Sequence, residues 1–427
     1  MIYVIPSSLF SPLIIFATFL FGIFPASGEA DTDLKEDILV ASNTAFALQL
    51  YTQLREQESG NLFFSPYSLS LALAMTYAGA RNQTAQQISQ ILHFPPQSAA
   101  KIHPLFAQLQ ERINQAQQHV KIHVANALWG DTSHPFLPNF QELIAQNYNA
   151  NLNLIDFSKA FSTAHVKINA WVKEQTQQKI TQLLKPGLID SLTRLVLVNA
   201  IYFKGNWDSP FDSQQTKNAQ FWLNSSKNIT IPMMRQENHF GYAENQLLQI
   251  LELPYVGSVN DDEESLEFAF TPNRLSMIIL LPRQRDGLSQ LENSLNRQNL
   301  EIWLSQINWQ KVKVALPKFK INTGFDLAKT LAAMGMPDAF NSKADFSGIN
   351  GSRALYLKSV IHQAFVDVNE EGTEATASTG VVATTRGIQP STPQFLADHP
   401  FLFLISHKNS GSILFLGRLI KPVNTLN

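Results

Sequence analysis

The stretch from Gly372 to Gln389 has mostly small side chains, no proline and only two charged residues, Glu374 and Arg386. It lies between two runs of strand character, Leu355–Asn369 and Phe401–Ile405. A connection of that length is usually either functional or disordered, and disordered linkers use more Pro, Gly and charge than this one. Read with a period of two, one side carries Thr373, Ala375, Ala377, Thr379, Val381 and Ala383. The other carries Glu374, Thr376, Ser378, Gly380, Val382 and Thr384. The first set can be buried against a core while the second keeps the carboxylate in water. With no Pro to interrupt a ladder, the segment reads as a loop able to become a strand.

Catalytic patterns are missing elsewhere. No H-E-x-x-H, no G-x-S-x-G and no phosphate loop ending in Gly-Lys occurs. His119 and His123 have the four-residue spacing of one helix face, but Lys121 and Val124 point to a strand beginning there. Cysteine is absent, which excludes disulfides, thiol nucleophiles and Cys-ligated metal. The acidic run Asp261-Asp262-Glu263-Glu264 lacks the alternating oxygen ligands and turning Gly of a calcium loop, and reads as a solvated loop tip. No metal, no cofactor and no enzymatic activity are expected.

The elements that must position the loop are legible. Of 427 residues 44% are hydrophobic, ample for a large core. Lys plus Arg total 32 against 34 Asp plus Glu, so no overall field would gather nucleic acid. The first 24 residues carry no charged side chain, and Leu13 to Phe24 is continuously apolar apart from Thr18 and Gly22. With Ala26-Ser27-Gly28 as a cleavage region, residues 1–28 read as a signal peptide, and the same stretch also fits an uncleaved anchor. After Glu29 no linker or repeat divides the chain, so 29–427 is expected to be one domain.

Helical patterning dominates the first third. Asp33 to Leu54 has apolar residues at three- and four-residue spacing. Ser65-Pro66 opens a second helix with Ser as N-cap and Pro at the first position. Glu142 to Tyr148 and Ala164 to Leu184 also read as helices, the latter stopped by Lys185-Pro186-Gly187. Later runs read as strands: Leu195 to Phe203, Leu248 to Leu253, Ser276 to Leu281 and Lys311 to Ala315. Phe401–Ile405 and Ser412–Leu416 form a hairpin through Lys408-Asn409-Ser410-Gly411. Helices first and strands afterwards imply an α+β fold with antiparallel or mixed sheets.

Glu370-Glu371-Gly372-Thr373-Glu374-Ala375-Thr376-Ala377 resembles the hinge of the reactive loop of the serpin family. The resemblance spans nearly the whole chain after Glu29. Asn61-Leu62-Phe63-Phe64-Ser65-Pro66-Tyr67-Ser68, Asn126-Ala127-Leu128-Trp129 and Ile168-Asn169-Ala170-Trp171-Val172 are similar to family blocks. So are Asn199-Ala200-Ile201-Tyr202-Phe203-Lys204-Gly205-Asn206-Trp207, Leu316-Pro317-Lys318-Phe319, Asp345-Phe346-Ser347-Gly348-Ile349 and His399-Pro400-Phe401-Leu402-Phe403.

The resemblance implies about nine helices packed on three β-sheets, with an exposed reactive loop at about 370–395. It implies a monomeric inhibitor that forms a covalent acyl complex with a serine protease and then inserts the severed loop into its central sheet, and the leader would make that inhibitor secreted or extracytoplasmic. Counting fifteen residues from Gly372 sets the attacked bond at Arg386–Gly387, which suits a trypsin-like pocket; a register one shorter would make Thr385 the bait. The hinge is Glu371, Gly372, Thr373, Glu374, Ala375, Thr376, Ala377, Ser378 and Thr379. Ser65, Ser68, Asn199 and His362 fall at the shutter, where the main sheet opens, and Trp207 at the breach, where the loop first enters. Protonation of His362 is a candidate control of that opening.

A non-inhibitory member acting as a binding, storage or chaperone protein is the alternative. The small hinge residues Thr373, Ala375 and Ala377 favour inhibition. Lys101, Arg112 and Lys121 are too sparse for strong glycosaminoglycan binding. Thr373→Arg would force a charge into the sheet on insertion. That variant is expected to be cut as a substrate without forming a stable complex, visible as cleavage with no high-mass band on a denaturing gel.

Overall fold

The structure is a computed structural model that describes residues 1, 28–96, 99–115, 120–256, 275–373 and 392–422. The leader, the acidic run at 261–264 and the loop from 374 to 391 lie outside the described residues. Six helices come early: α1 (Gly28–Gln57), α2 (Pro66–Gly79), α3 (Asn82–Ile91), α4 (Ala99–Gln115), α5 (Pro138–Tyr148) and α6 (Phe157–Gln175). Four short ones follow, α7 (Leu288–Ser294), α8 (Arg297–Ser305), α9 (Ala328–Met334) and α10 (Ser347–Asn350). The strands are β1 (Leu62–Phe64), β2 (Val120–Asp131), β3 (Asn151–Ile155), β4 (Leu195–Asn206), β5 (Lys217–Trp222), β6 (Asn228–Glu244), β7 (Leu248–Pro254) and β8 (Leu275–Pro282). They continue with β9 (Asn308–Pro317), β10 (Phe319–Asp326), β11 (Leu357–Val368), β12 (Gly372–Thr373), β13 (Gln394–Leu396), β14 (Phe401–His407) and β15 (Ser412–Leu419).

Among the described residues the strands form two hydrogen-bonded networks. One has nine strands in the order β1-β15-β14-β8-β7-β6-β9-β13, with β5 also on β6. The other has six, β10-β11-β4-β2-β3, with β12 also on β4. The expected three sheets become two networks because β6 is long enough to serve two neighbourhoods. Its Asn228–Met233 part pairs with β5, its Met233–Tyr242 part with β9, and its Gly241–Glu244 end with β7.

The predicted α2 forms as its sequence dictates. Ser65 is extended and its hydroxyl accepts from the Ser68 N–H, with Pro66 at the first helical position. The helix is apolar on most sides because it threads the core, and Leu69, Ala72, Leu73, Ala74 and Met75 are fully buried. The β14–β15 hairpin is present, with Phe401 opposite Leu419 and His407 opposite Ser412. Residues 120–131 are strand, as Lys121 and Val124 suggested, so His123 is not on a helix.

The helix expected to reach Leu184 ends at Gln175. Gln177 and Gln178 both take left-handed φ, at 49° and 63°. The Thr176 hydroxyl donates to Val172 O and accepts from Ile180 N, while Asn169 Oδ1 receives the N–H groups of Leu183 and Leu184. Ile168, Val172, Ile180 and Leu184 keep four-residue spacing because all pack into one core, not because one helix carries them.

The six-stranded sheet is buried on both faces. Leu195, Leu197, Ile201 and Phe203 of β4 face the main core with α2, while Val196, Val198 and Ala200 face the smaller core under α6. Such double burial explains why β4 reads as an almost uninterrupted apolar run.

Candidate functional site

At the middle of the six-stranded sheet, three polar residues fall in one row. Asn126 of β2 is opposite Asn199 of β4, and Asn199 is opposite His362 of β11. All three are buried. The sheet face they share meets the start of α2. There the Ser65 N–H donates to His362 Nε2 (3.1 Å) and the Ser65 hydroxyl donates to Leu414 O (2.6 Å). Asn199 Nδ2 donates to the Ser68 hydroxyl (2.6 Å) and to Asn126 Oδ1, and the His362 ring bonds Asn199 Oδ1 through Nδ1. Because Nε2 must accept from a backbone N–H, the proton sits on Nδ1, and the ring is neutral.

Burial pushes the His362 pKa down to about 3. The ring therefore stays uncharged throughout the neutral range, and the expected protonation control of sheet opening does not operate in the native state. The predicted Ser65, Ser68, Asn199 and His362 do converge. Asn126 belongs with them; its sequence signal is only its place in the Asn126-Ala127-Leu128-Trp129 block, and its partnership with Asn199 exists only through the β2–β4 register.

Above this row the sheet has a mouth. Strands β4 and β11 are parallel and paired from Leu195–Leu357 up to Tyr202–Phe365. Beyond that point β11 runs on to Val368 beside β10 alone; the chain then turns through Asn369 and returns as β12, antiparallel to β4, with Gly372 opposite Asn206 and Thr373 opposite Gly205. Gly372 has φ 138°, and a Cβ there would lie 2.3 Å from Gly205 O and 2.7 Å from Trp207 N. Only glycine fits.

Trp207, predicted at the breach, is buried and supports this turn. Its ring nitrogen donates to Asn369 O and its N–H to Glu371 O, both at 3.0 Å. Its ring stacks on Tyr255 at 4.6 Å. Glu370 is tied down on the other side by Lys318 (2.6 Å) and the Thr216 hydroxyl (2.8 Å). Burial alone would raise the Glu370 pKa, but the Lys318 and Thr216 bonds outweigh it and hold it below the usual range. Glu371, Gly372 and Thr373 of the predicted hinge thus lie at the mouth. Glu374, Ala375, Thr376, Ala377, Ser378, Thr379, Thr385, Arg386 and Gly387 lie outside the described residues. Thr216 and Tyr255 carry no signal in the sequence, and Lys318 only its place in the Leu316-Pro317-Lys318-Phe319 block, since each reaches the site from a strand or turn distant in sequence. Among the described residues no group of His, Asp and Glu is arranged to hold a metal.

Comparison with known proteins follows the same outline. The sequence model of the family described as Serpin (serine protease inhibitor) matches residues 41–422. Leukocyte elastase inhibitor of Bos taurus is 44% identical over 393 residues, covering 90% of this chain and 99% of that protein. Uncleaved ovalbumin superposes with TM-score 0.78 at 30% identity, covering 90% of this chain and 100% of that one. Serpin48, a highly specific serpin of the insect Tenebrio molitor, gives 0.77 at 32% identity, with 90% and 98% covered.

Two outcomes are expected. His103, His362 and His407 are all held low by burial, at about 4, 3 and 4, against about 6.5 when unfolded. The unfolded chain therefore binds more protons below pH 6.5, so stability is complete above that value and falls as pH drops, by about 1.4 kcal/mol per unit for each group. Thermal unfolding midpoints should fall between about pH 7 and pH 5, and less steeply in His362→Gln; an equal slope would remove His362 from the account. Gly372→Ala should expel β12 from the mouth, read as faster proteolysis of the hinge at unchanged far-UV circular dichroism.

Proposed function

The chain belongs to the serpin family, and we propose that it is a suicide-substrate inhibitor of trypsin-like serine proteases with Arg386–Gly387 as its bait bond. The protease serine would attack the Arg386 carbonyl and release the Gly387 amine, leaving Arg386 as an acyl ester. Insertion of the freed loop beside β4 would then carry the protease along before water reaches the ester.

The observation that supports this most is the register of β12. Continued residue by residue from Thr373 opposite Gly205, insertion would set Ala375 opposite Phe203, Ala377 opposite Ile201, Thr379 opposite Asn199, Val381 opposite Leu197 and Ala383 opposite Leu195. Directly opposed residues share a sheet face. The side of the loop that alternation marks for burial is thus the side that would meet the main core, where Phe203, Ile201, Leu197 and Leu195 already lie. Gly372 to Ala383 would match all 12 residues of β4, and the bait bond would clear the end of the sheet.

Specificity rests on the bait residue. The bovine relative is named for elastase, whose pocket takes small side chains, whereas a long cation suits an acidic pocket. Arg386 is the only Lys or Arg between Lys358 and Lys408, which favours it over Thr385. Export is proposed on the uncharged apolar leader, which lies ahead of the family match beginning at residue 41; none of the described helices is long and apolar enough to cross a membrane.

Incubation with trypsin and, separately, with elastase should give an SDS-stable complex with trypsin, and a released C-terminal fragment beginning at Gly387. Clean cleavage with no complex would sink the inhibitory mechanism. A fragment beginning at Arg386 would move the bait to Thr385. Arg386→Ala should abolish the trypsin complex.

A further inference from the structure

The seam between β4 and β11 divides two antiparallel blocks. β4 is paired with β2 from Leu195–Gly130 to Gly205–Val120, and β11 with β10 from Ile361–Asp326 to Val368–Phe319. Widening the seam leaves both blocks intact, so its resistance lies in what fastens one block to the other. In the middle that is the His362–Asn199 hydrogen bond, and near the mouth the Tyr202 and Phe365 rings meet at 5.8 Å. At the closed end it is an ion pair, Lys358 Nζ to Asp190 Oδ2 at 2.6 Å. The ladder passes from Leu357–Leu195 to Ser359–Val196 and skips Lys358, which is therefore the extra residue of a bulge in β11. A bulge re-aims its side chain, and this one reaches the connector that runs from α6 to β4. Asp190 of that connector is fixed by its own turn: Oδ1 accepts from the Leu192 N–H and the Thr193 hydroxyl, both at 3.0 Å, which leaves Oδ2 to the lysine. The Lys358 bond, helped by Thr193 and Leu192, outweighs desolvation and holds the Asp190 carboxyl below its usual range. The connector straddles the seam, since its Ile180, Leu184 and Ile189 share one core with Val196 and Val198 of β4 and Ile361 of β11.

We propose that the Asp190–Lys358 pair is a clasp on the closed end of the β4–β11 seam, and that its release sets how readily a strand entering from the mouth completes its passage. Such a strand, laid along β4, must finally take the places that Val360 and Leu357 now hold beside Leu197 and Leu195. Lys358 lies between those two residues, so β11 cannot withdraw from them while the ammonium is held by the connector leading into β4. Both partners are partly open to water. Ion pairs of that kind shift equilibria by a factor of about two to five, so the clasp tunes a rate and does not lock the sheet. The consequence for insertion rests on the inhibitory reading; the clasp itself does not.

Hydrogen exchange at the amides of residues 194–199 and 355–361, in the full chain without protease, reads the clasp directly. Lys358→Met keeps the aliphatic stem and removes the charge, and Asp190→Asn keeps the Oδ1 that fixes the turn. Each should speed exchange there about two- to fivefold, and the two together should add nothing further, as expected of partners in one contact. Lys358→Arg should exchange like the wild type. Sodium chloride should speed exchange in the wild type and leave the double variant unchanged, a response that general loosening would not give. Equal exchange in the wild type and both single variants overturns the clasp. With trypsin at saturation, the limiting rate of complex formation should rise in Lys358→Met by the factor seen in exchange. An unchanged rate beside faster exchange overturns the part assigned to insertion. If trypsin cuts every version and forms no complex, the inhibitory reading fails, and the exchange measurements still decide the clasp.

Discussion

The molecule is organised around one parallel contact, β4 beside β11, that is closed along most of its length and open at one end. Closure is maintained by the ladder from Leu195–Leu357 to Tyr202–Phe365 and by the polar row crossing it at Asn126, Asn199 and His362. A buried polar network holds firmly when its members are mutually satisfied, and breaking it exposes donors and acceptors that have no water to turn to. The start of α2 supplies two of those partners, Ser65 and Ser68. Separating β4 from β11 would therefore break these bonds to α2 and require others in their place.

The mouth is held open by a different device. Two residues of β12 occupy the first positions beside β4, and glycine at 372 allows the backbone to come closer than any side chain permits. Trp207 grips the turn from one side and the Glu370–Lys318 pair from the other. The described part of the arrangement is a two-residue strand laid against the end of β4. Its charges are unevenly placed: Glu370 is neutralised where the turn is anchored, whereas Lys121 and Lys204 stand opposed one row inside.

Much of this was legible from residues alone. Ser65-Pro66 marked the start of α2 because capping and proline geometry are local. The hairpin of β14 and β15 followed from a turn sequence between two apolar runs. Four-residue apolar spacing across Ala164 to Leu184 misled, because a chain that turns can still return its side chains to one core. The fusion of two expected sheets through β6 was equally hidden, since strand length says nothing about which partners lie on either side.

The sequence by itself determined the alternation of the loop, the small residues of its hinge and the membership of Ser65, Ser68, Asn199 and His362 in one site by resemblance. Local chemistry and side-chain periodicity suffice for those. Tertiary structure decided the rest. Register brought Asn126 and Lys121 beside β4, desolvation made His362 a fixed neutral ring where the residue type alone suggested a switch, and the approach of Gly205 and Trp207 made glycine obligatory at 372. Each depends on which strands become neighbours, and pairing between segments far apart in the chain leaves no mark on either segment alone.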